Sequence, residues 1–292
     1  MSSDRIRFAG PIERLPNPVH DLFNAPGRTL RSLFWSVRHR GARVARPIFV
    51  VGCPRSGNRL TAGFFAARPD VAAWLETGRL WDPVHYSDPA AEHHFSVERA
   101  TPAEIRRLHR ACEWYRQREG RARLLCEHPR NTVRIAFLSR VFPDARFVHV
   151  IRDGRAVVSS MVSQIRSRPR RQAQPMGGFC RPPGWRALLR DDLVEQTALQ
   201  WRAIVRHARE QGAALGERYC EARYEELCAG PRAVCRALFE FAGLPADEAQ
   251  LAELPERLEL RGEVWRGRLT PKEIANVEEC AGDLQAELGY RA

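Results

Sequence analysis

The residues Gly52-Cys-Pro-Arg-Ser-Gly57 have the G-x-x-x-x-G spacing of a loop that holds the phosphates of a nucleotide. This loop follows a short apolar run at 47–53 that we predict as a buried strand, and it precedes a helical pattern over about 60–67. A strand-to-helix turn offers backbone N–H groups and a helix N-terminus to an anion. We therefore expect a phosphate or sulfate group to bind here.

The two positions after the loop separate it from the loop of an NTPase. An NTPase has Lys and then Ser or Thr there, and the hydroxyl holds magnesium. This chain has Asn58 and Arg59 instead. ATP or GTP hydrolysis is therefore disfavoured, and a nucleotide whose transferred group needs no magnesium fits better. Taken alone, the glycine spacing is equally compatible with an ordinary strand-to-helix turn.

The charge of the chain favours anionic ligands. Its 292 residues carry a formal net charge of +12, and Lys272 is the only lysine among the 47 basic residues. Any cation that binds phosphate or acts in catalysis is therefore an arginine. With 44% hydrophobic and 28% charged residues, the composition excludes a wholly disordered chain. The same charge is compatible with simple solubility, or with nucleic acid or an anionic membrane as partner.

Metal binding and membrane insertion find little support in the sequence. The eight cysteines include no C-x-x-C pair, so we expect no metal site and no redox couple. No apolar run approaches the roughly 20 residues of a membrane span, and no signal-peptide core is found near the N-terminus. We expect a cytoplasmic protein. A basic amphipathic stretch at 28–40 predicts a helix that packs on the domain, with peripheral membrane contact as the alternative.

Apolar and turn patterns divide the chain into a basic arm at 1–46 and one domain at 47–292. Within the domain, strands are predicted at 124–126, 146–151 and 219–224. Helices are predicted at about 101–118, 132–142, 154–165, 191–211, 231–242 and 270–289. This alternation predicts an α/β fold with a parallel sheet that helices cover on both faces. Residues 166–186 are proline-rich and are predicted as a long loop that covers the site.

Two motifs together give the chain a specific resemblance. Pro54-Arg55-Ser56-Gly57 resembles the 5′-phosphosulfate loop of sulfotransferases that use 3′-phosphoadenosine 5′-phosphosulfate (PAPS). The segment that begins at Phe147 is similar to their 3′-phosphate segment, because Arg152 ends a predicted strand and Ser160 follows eight positions later. The similarity, to bacterial members especially, covers roughly residues 47–290. It implies a P-loop NTPase-like, three-layer α/β/α fold around a central parallel sheet.

The resemblance also implies how PAPS, and its product adenosine 3′,5′-bisphosphate (PAP), would be held. Ser56, Gly57, Asn58 and Arg59 would cradle the 5′ end, although the family usually has Thr-Thr where this chain has Asn58-Arg59. Arg152 and Ser160 would bind the 3′-phosphate, to which the arginine fork suits two aligned bonds. Tyr224 would lie near the adenine. Arg266 falls in the family's late basic segment and is a further 3′-phosphate candidate, with Arg268 equally placed.

Sulfuryl transfer needs a cation for the developing charge and a base for the acceptor's proton. Arg55 is the candidate cation. Glu76 lies 21 residues later and resembles the catalytic glutamate of protein-tyrosine sulfotransferases, with a plain salt bridge to Arg79 as the alternative. His128 is the second candidate base. At Glu127 the tyrosine-directed members have lysine, and this difference counts against a tyrosyl-peptide acceptor.

The sequence thus predicts an EC 2.8.2-type enzyme that transfers sulfuryl from PAPS to a hydroxyl of a carbohydrate, glycolipid or small natural product. The alternatives are a tyrosyl-peptide sulfotransferase and a non-catalytic, basic protein that binds nucleotides or polyanions. A nucleic-acid partner is not expected, because no nucleic-acid motif accompanies the basic clusters. The sequence is silent on the oligomeric state.

Overall fold

The computed structural model describes residues 41–259 and 263–290. Residues 1–40, which include the predicted basic stretch and most of the predicted arm, lie outside this range. The last residues of that arm are within it. Val44 is buried in the domain core, and its backbone N–H donates to His109 Nδ1. The division at residue 46 stays a prediction, although the chain already packs on the domain before that point.

A five-stranded parallel sheet forms the centre of the domain, in the order β2-β3-β1-β4-β5. The strands are β1 Ile48–Val51, β2 Val71–Leu75, β3 Arg123–Glu127, β4 Arg146–Ile151 and β5 Tyr219–Arg223. Short runs rich in β-branched and apolar residues account for these strands, and the predicted strands are confirmed with their ends shifted by one or two residues at most. The P-loop-like, parallel α/β fold is therefore confirmed.

The connections between the strands are mostly helical. The helices are α1 Asn58–Ala66, α2 Gly78–Trp81, α3 Pro102–Arg118, α4 Ile135–Val141, α5 Gly154–Arg166, α6 Pro169–Gln172, α7 Leu193–Ala213, α8 Tyr224–Ala229, α9 Pro231–Phe241, α10 Glu248–Ala252 and α11 Pro271–Glu287. Short 3₁₀ segments lie at Val97–Arg99, Pro129–Val133, Pro175–Gly178, Trp185–Leu188, Gly216–Arg218 and Glu263–Gly267. Among the described residues, none of the helices is both long enough and apolar enough to cross a lipid bilayer.

Central strand β1 shows why the domain has three layers. Successive side chains of a strand point to opposite faces of the sheet. Phe49 and Val51 therefore pack in one cluster with residues of α3 and α4, while Ile48 and Val50 pack in another with residues of α1 and α9. All four side chains are buried, as expected for the middle of a parallel sheet. A third cluster joins α5, α7 and α11.

Two predicted segments differ from the structure. The helix expected over 132–142 is divided into a 3₁₀ segment, Pro129–Val133, and the shorter α4, because Arg134 adopts a non-helical conformation between them. The loop expected over 166–186 is ordered and packed, with α6 and 3₁₀ turns in it. Phe179, Cys180 and Trp185 are buried, and these apolar side chains attach a proline-rich segment to the core.

The strand order places the carboxyl ends of β3, β1 and β4 side by side, with β1 in the middle. The chain passes from β3 on one side of β1 to β4 on the other, which makes this edge a topological switch point. Ligands of open α/β sheets bind in the crevice at such a point. The loop at Gly52–Gly57 follows β1, and Arg152 follows β4, so both motifs lie at this crevice.

We expect Thr270→Ala to lower the free energy of unfolding by about 1 kcal/mol, because Thr270 caps α11. Its hydroxyl accepts from Glu273 N at 3.2 Å, and Glu273 Oε2 accepts from Thr270 N at 2.8 Å. Urea unfolding of the two variants Thr270→Ala and Thr270→Ser measures the effect. Serine keeps the capping hydroxyl and should retain most of the stability; an equal loss in both variants would contradict the capping assignment.

Candidate active site

The loop after β1 is fixed at its first glycine by two side chains. Thr132 Oγ1 accepts from Gly52 N and donates to Gly52 O, both at 2.8 Å. Asn58 Nδ2 also donates to Gly52 O, at 2.8 Å, across the loop. The side-chain amide of Asn58, predicted to help bind the 5′ end of the nucleotide, thus has a partner within the protein. Asn58 can still offer an anion its backbone N–H at the start of α1.

Arg55 joins the two predicted phosphate motifs. Its Nε donates to Ser160 Oγ on α5 at 2.9 Å, and its carbonyl oxygen accepts from Arg152 Nη1 at 3.0 Å. Arg55 has φ of +75°, the left-handed region that costs a side-chain-bearing residue energy and that clusters at functional sites. The structure therefore brings together the loop, the end of β4 and the second turn of α5, as the sequence predicted.

Positive charge is concentrated around Arg55. Burial lowers the pKa of Arg55, and the charges of Arg152, Arg168 and Arg171 lower it further. Like charges held this close are unfavourable unless an anion lies between them. Ser56 is fully buried, and among the described residues its Oγ has no hydrogen-bond partner. An arginine cluster beside an unpaired hydroxyl suits a sulfated or phosphorylated ligand.

Tyr224 closes the crevice on the β5 side. Arg152 stacks over its ring, with Cζ 4.3 Å from the ring centroid. Gly57 has φ of +103°, and a Cβ at this position would lie 2.5 Å from Tyr224 Cδ2. The loop can approach the ring this closely only because residue 57 is glycine. The Tyr224 ring thus lies directly beside the Gly52–Gly57 loop, hereafter the anion loop, and lines the same crevice.

Glu76 follows β2 and points into the crevice from the opposite side. Its Oε1 accepts from Arg59 Nη1 at 2.6 Å, and both side chains are more than half exposed. The sequence offered Arg79 as the ion-pair partner, and the structure pairs Glu76 with Arg59 instead. Glu76 has φ of +54°, and its N–H donates to Glu127 O at 2.8 Å, which fixes its backbone at the end of β3. The carboxylate remains accessible to an acceptor.

His128 is poorly suited to act as a base. Its Nδ1 accepts from Arg130 N at 3.2 Å, so the neutral ring carries its proton on Nε2. Burial, with the charges of Arg134 and Arg130, lowers the pKa of His128 well below its ordinary value, so a second proton is disfavoured. The geometry makes His128 a neutral hydrogen-bond donor.

Glu127 is a site residue that the sequence analysis did not assign. It is the last residue of β3, it is almost fully buried, and it lies in the same crevice as Glu76. Burial, and then the charge of Glu76, raise the pKa of Glu127 to about 8, against an opposing effect of Arg59. A glutamate at a strand's carboxyl end was a weak signal, because its burial depends on segments far away in the sequence.

These residues surround one cavity of about 730 Å³. The predicted site residues that line it are Arg55, Gly57, Asn58, Arg59, Glu76, His128, Arg152 and Tyr224. Ser160 contacts Arg55, and Ser56 lies buried within the loop. Arg266 is exposed and stacks on Trp265, with Cζ 4.5 Å from the ring centroid, and it does not line the cavity in the described part of the chain.

Comparisons with known proteins agree with this geometry. A family model described as "Sulfotransferase family" matches residues 47–248. Protein-tyrosine sulfotransferase A of Caenorhabditis elegans is 26% identical over 224 residues, which cover 70% of this chain and 51% of that protein. The omega-hydroxy-beta-dihydromenaquinone-9 sulfotransferase Stf3 of Mycobacterium bovis is 27% identical over 212 residues, with coverage of 69% and 51%. The chain thus spans about half the length of these curated relatives.

Solved structures share the fold. The sulfotransferase STF9 from Mycobacterium avium superposes with a TM-score of 0.57 at 18% identity, over 92% of this chain and 84% of that one. The sulfotransferase domain from the curacin biosynthetic pathway superposes with a TM-score of 0.54 at 15% identity, over 86% and 99%. At this level of identity the likeness supports the architecture rather than any particular residue.

We expect Gly57→Ala to lower the free energy of unfolding by about 1–3 kcal/mol, because alanine is strained at this φ and its Cβ would displace the Tyr224 ring. Gly230→Ala is the matched control. Gly230 has φ of −146°, and a Cβ there would meet no heavy atom within 4 Å. Its effect should stay within about 0.5 kcal/mol. Urea unfolding of both variants tests the contact, and similar losses in the two would contradict it.

Proposed function

Because this chain belongs to the sulfotransferase family, we propose that it is a PAPS-dependent sulfotransferase that transfers the sulfuryl group to an acceptor hydroxyl. The observation that carries the proposal is the meeting of the two phosphate motifs at Arg55. Its side chain contacts Ser160 on α5, while its carbonyl accepts from Arg152 after β4. One bound nucleotide could thus contact both motifs from the same cavity.

The loop and the arginines around it would hold the two ends of PAPS. The loop backbone from Arg55 to Asn58 and the start of α1 present N–H groups to the 5′-phosphosulfate. Arg152 and Ser160 would bind the 3′-phosphate, and Arg55 would stabilise negative charge as the sulfuryl group leaves. Tyr224 offers its ring to the adenine. The unpaired Ser56 hydroxyl and the mutual repulsion of the arginines both favour an anionic occupant.

Glu76 is the proposed general base. Its accessible carboxylate would take the proton of the acceptor hydroxyl as the acceptor oxygen forms a bond to sulfur. The sulfur–oxygen bond to the 5′-phosphate breaks, and its electron pair stays on the phosphate oxygen. Arg59 holds the Glu76 carboxylate in place through their ion pair. His128, with its proton on Nε2, would donate a hydrogen bond to the acceptor or to the sulfuryl group.

For the acceptor we propose a hydroxyl of a carbohydrate, a glycolipid or a small natural product. The cavity volume lies within the roughly 300–1,000 Å³ of small-molecule sites. Its acceptor side carries Tyr86, Phe179 and Arg130, which combine aromatic faces with a guanidinium. One relative acts on a menaquinone derivative by its name, while others are named protein-tyrosine sulfotransferases, so a tyrosyl peptide is the alternative acceptor that an assay panel must include.

We expect Arg152→Ala to weaken PAP binding by about 10- to 100-fold, as for the loss of charge-assisted hydrogen bonds worth about 1.5–3 kcal/mol. Arg140→Ala is the matched control, because Arg140 is exposed at the end of α4 and its removal lowers the net charge equally. Calorimetric titration with PAP measures both. If both variants lose affinity alike, binding depends on net charge, as in a non-catalytic polyanion-binding protein.

Glu76→Gln should lower the rate of sulfuryl transfer by about 100- to 10,000-fold, because the amide cannot take the acceptor's proton. Transfer is measured with labelled PAPS and a panel of glycan, glycolipid, phenol and tyrosyl-peptide acceptors. PAP titration of the same variant separates a loss of chemistry from a loss of binding. Undiminished transfer by Glu76→Gln would remove Glu76 as the base, and a wild-type protein that binds PAP but sulfates no acceptor would favour the non-catalytic alternative.

A further inference from the structure

Glu127 lies next to the anion loop, on the side opposite Arg152. In the register of the sheet, Glu127 pairs with Val50 of β1 on one side and with Leu75 of β2 on the other. Neighbouring strands are about 4.8 Å apart, so the end of β3 is one strand spacing from the start of the loop. The side chain is 2% exposed and lines the cavity. A carboxyl group therefore lies beside the place where an anionic group is expected to bind.

The surroundings of Glu127 disfavour its charge. Within residues 41–259 and 263–290, no side-chain hydrogen bond or ion pair involves the Glu127 carboxyl, although Arg59 on α1 is near enough to act on it. Arg59 donates a hydrogen bond to Glu76, which follows β2 and whose charge raises the pKa of Glu127. His128 and Arg130 follow Glu127 on its own segment. Ionising a buried carboxyl group beside a second carboxylate costs free energy, and Glu127 therefore favours its protonated form.

Resting on the proposed function, we propose that Glu127 acts as a neutral carboxylic acid when PAPS is bound, and that its O–H donates a hydrogen bond to an oxygen of the sulfuryl group. Glu76 would keep its role as the base, and Glu127 would be the protonated hydrogen-bond donor. A carboxylic acid kept neutral by its environment serves as a hydrogen-bond donor in this way in other enzyme sites. Glu127 then contacts the transferred group directly.

The role of Glu127 couples PAPS binding to a proton. Ionised Glu127 would repel the negatively charged sulfuryl oxygens, so the ionised form of Glu127 disfavours bound PAPS. Because burial raises the pKa of Glu127 to about 8, the neutral form is available below that pH and is lost above it. By linkage, PAPS affinity should fall by up to about tenfold for each pH unit above 8, and binding there should take up a proton.

Calorimetric titration with PAPS from pH 7 to 9.5, in buffers of different ionisation enthalpy, tests this coupling in the full chain. Wild type should show the alkaline fall in affinity and the proton uptake. Glu127→Gln keeps an N–H donor but cannot ionise, so both the fall and the uptake should disappear. In Glu76→Gln the fall should begin at a lower pH, because the Glu76 charge that raises the Glu127 pKa is gone.

Glu113→Gln is the matched control, since Glu113 is also a buried carboxylate but lies on α3 and pairs with Arg116. It should keep the wild-type pH profile. Proton uptake that persists in Glu127→Gln, or a wild-type affinity that stays flat above pH 8, would overturn the role of Glu127. If Glu127→Gln does not fold, an unshifted profile in Glu76→Gln overturns it instead. A wild-type protein that binds no PAPS at pH 7 contradicts the proposed function itself.

Discussion

The repulsion among Arg55, Arg152, Arg168 and Arg171 at one edge of the sheet is the constraint on which the site depends. Such a cluster is stable only when the fold holds it rigidly or an anion neutralises it. Local hydrogen bonds hold the cluster in place, because Arg152 donates to the carbonyl of Arg55 and the Arg55 side chain donates to Ser160. Arg55, Arg152 and Arg171 all line the same cavity, and an anion bound there would offset their mutual repulsion.

Strand order turns this cluster into a polarised site. β4, on one side of β1, leads to Arg152 and α5, while β3 and β2, on the other side, end at Glu127 and Glu76. The anion loop lies between a basic wall and an acidic wall. Under the proposed function, PAPS would lie against the basic wall, and the proton of the acceptor hydroxyl would be removed at the acidic wall. The Arg59–Glu76 pair lies at the boundary between them.

Much of this arrangement could be predicted from the sequence, because it depends on spacing within single segments. Short apolar runs predict the strands whose ends carry the loop, Glu76 and Arg152. The capping residues predict where α3 and α11 begin. The choice of partners could not be predicted. Asn58 donates a hydrogen bond across its own loop, and Glu76 pairs with Arg59 instead of Arg79. Such contacts depend on how the elements are placed in three dimensions, which the spacing within one segment does not show.

Glu127 shows the same limit most clearly. Its sequence neighbourhood, a short strand followed by His128 and Pro129, gives no indication of a protonated carboxyl. The property arises from burial between β1 and β2 and from the approach of Glu76, whose N–H bonds the Glu127 carbonyl. Backbone geometry holds the two carboxyl groups close together, and the charge of Glu76 therefore raises the pKa of Glu127. An anion in the loop would thus have the arginine cluster on one side and Glu127 on the other, and a proton on Glu127 would remove the repulsion from that second side.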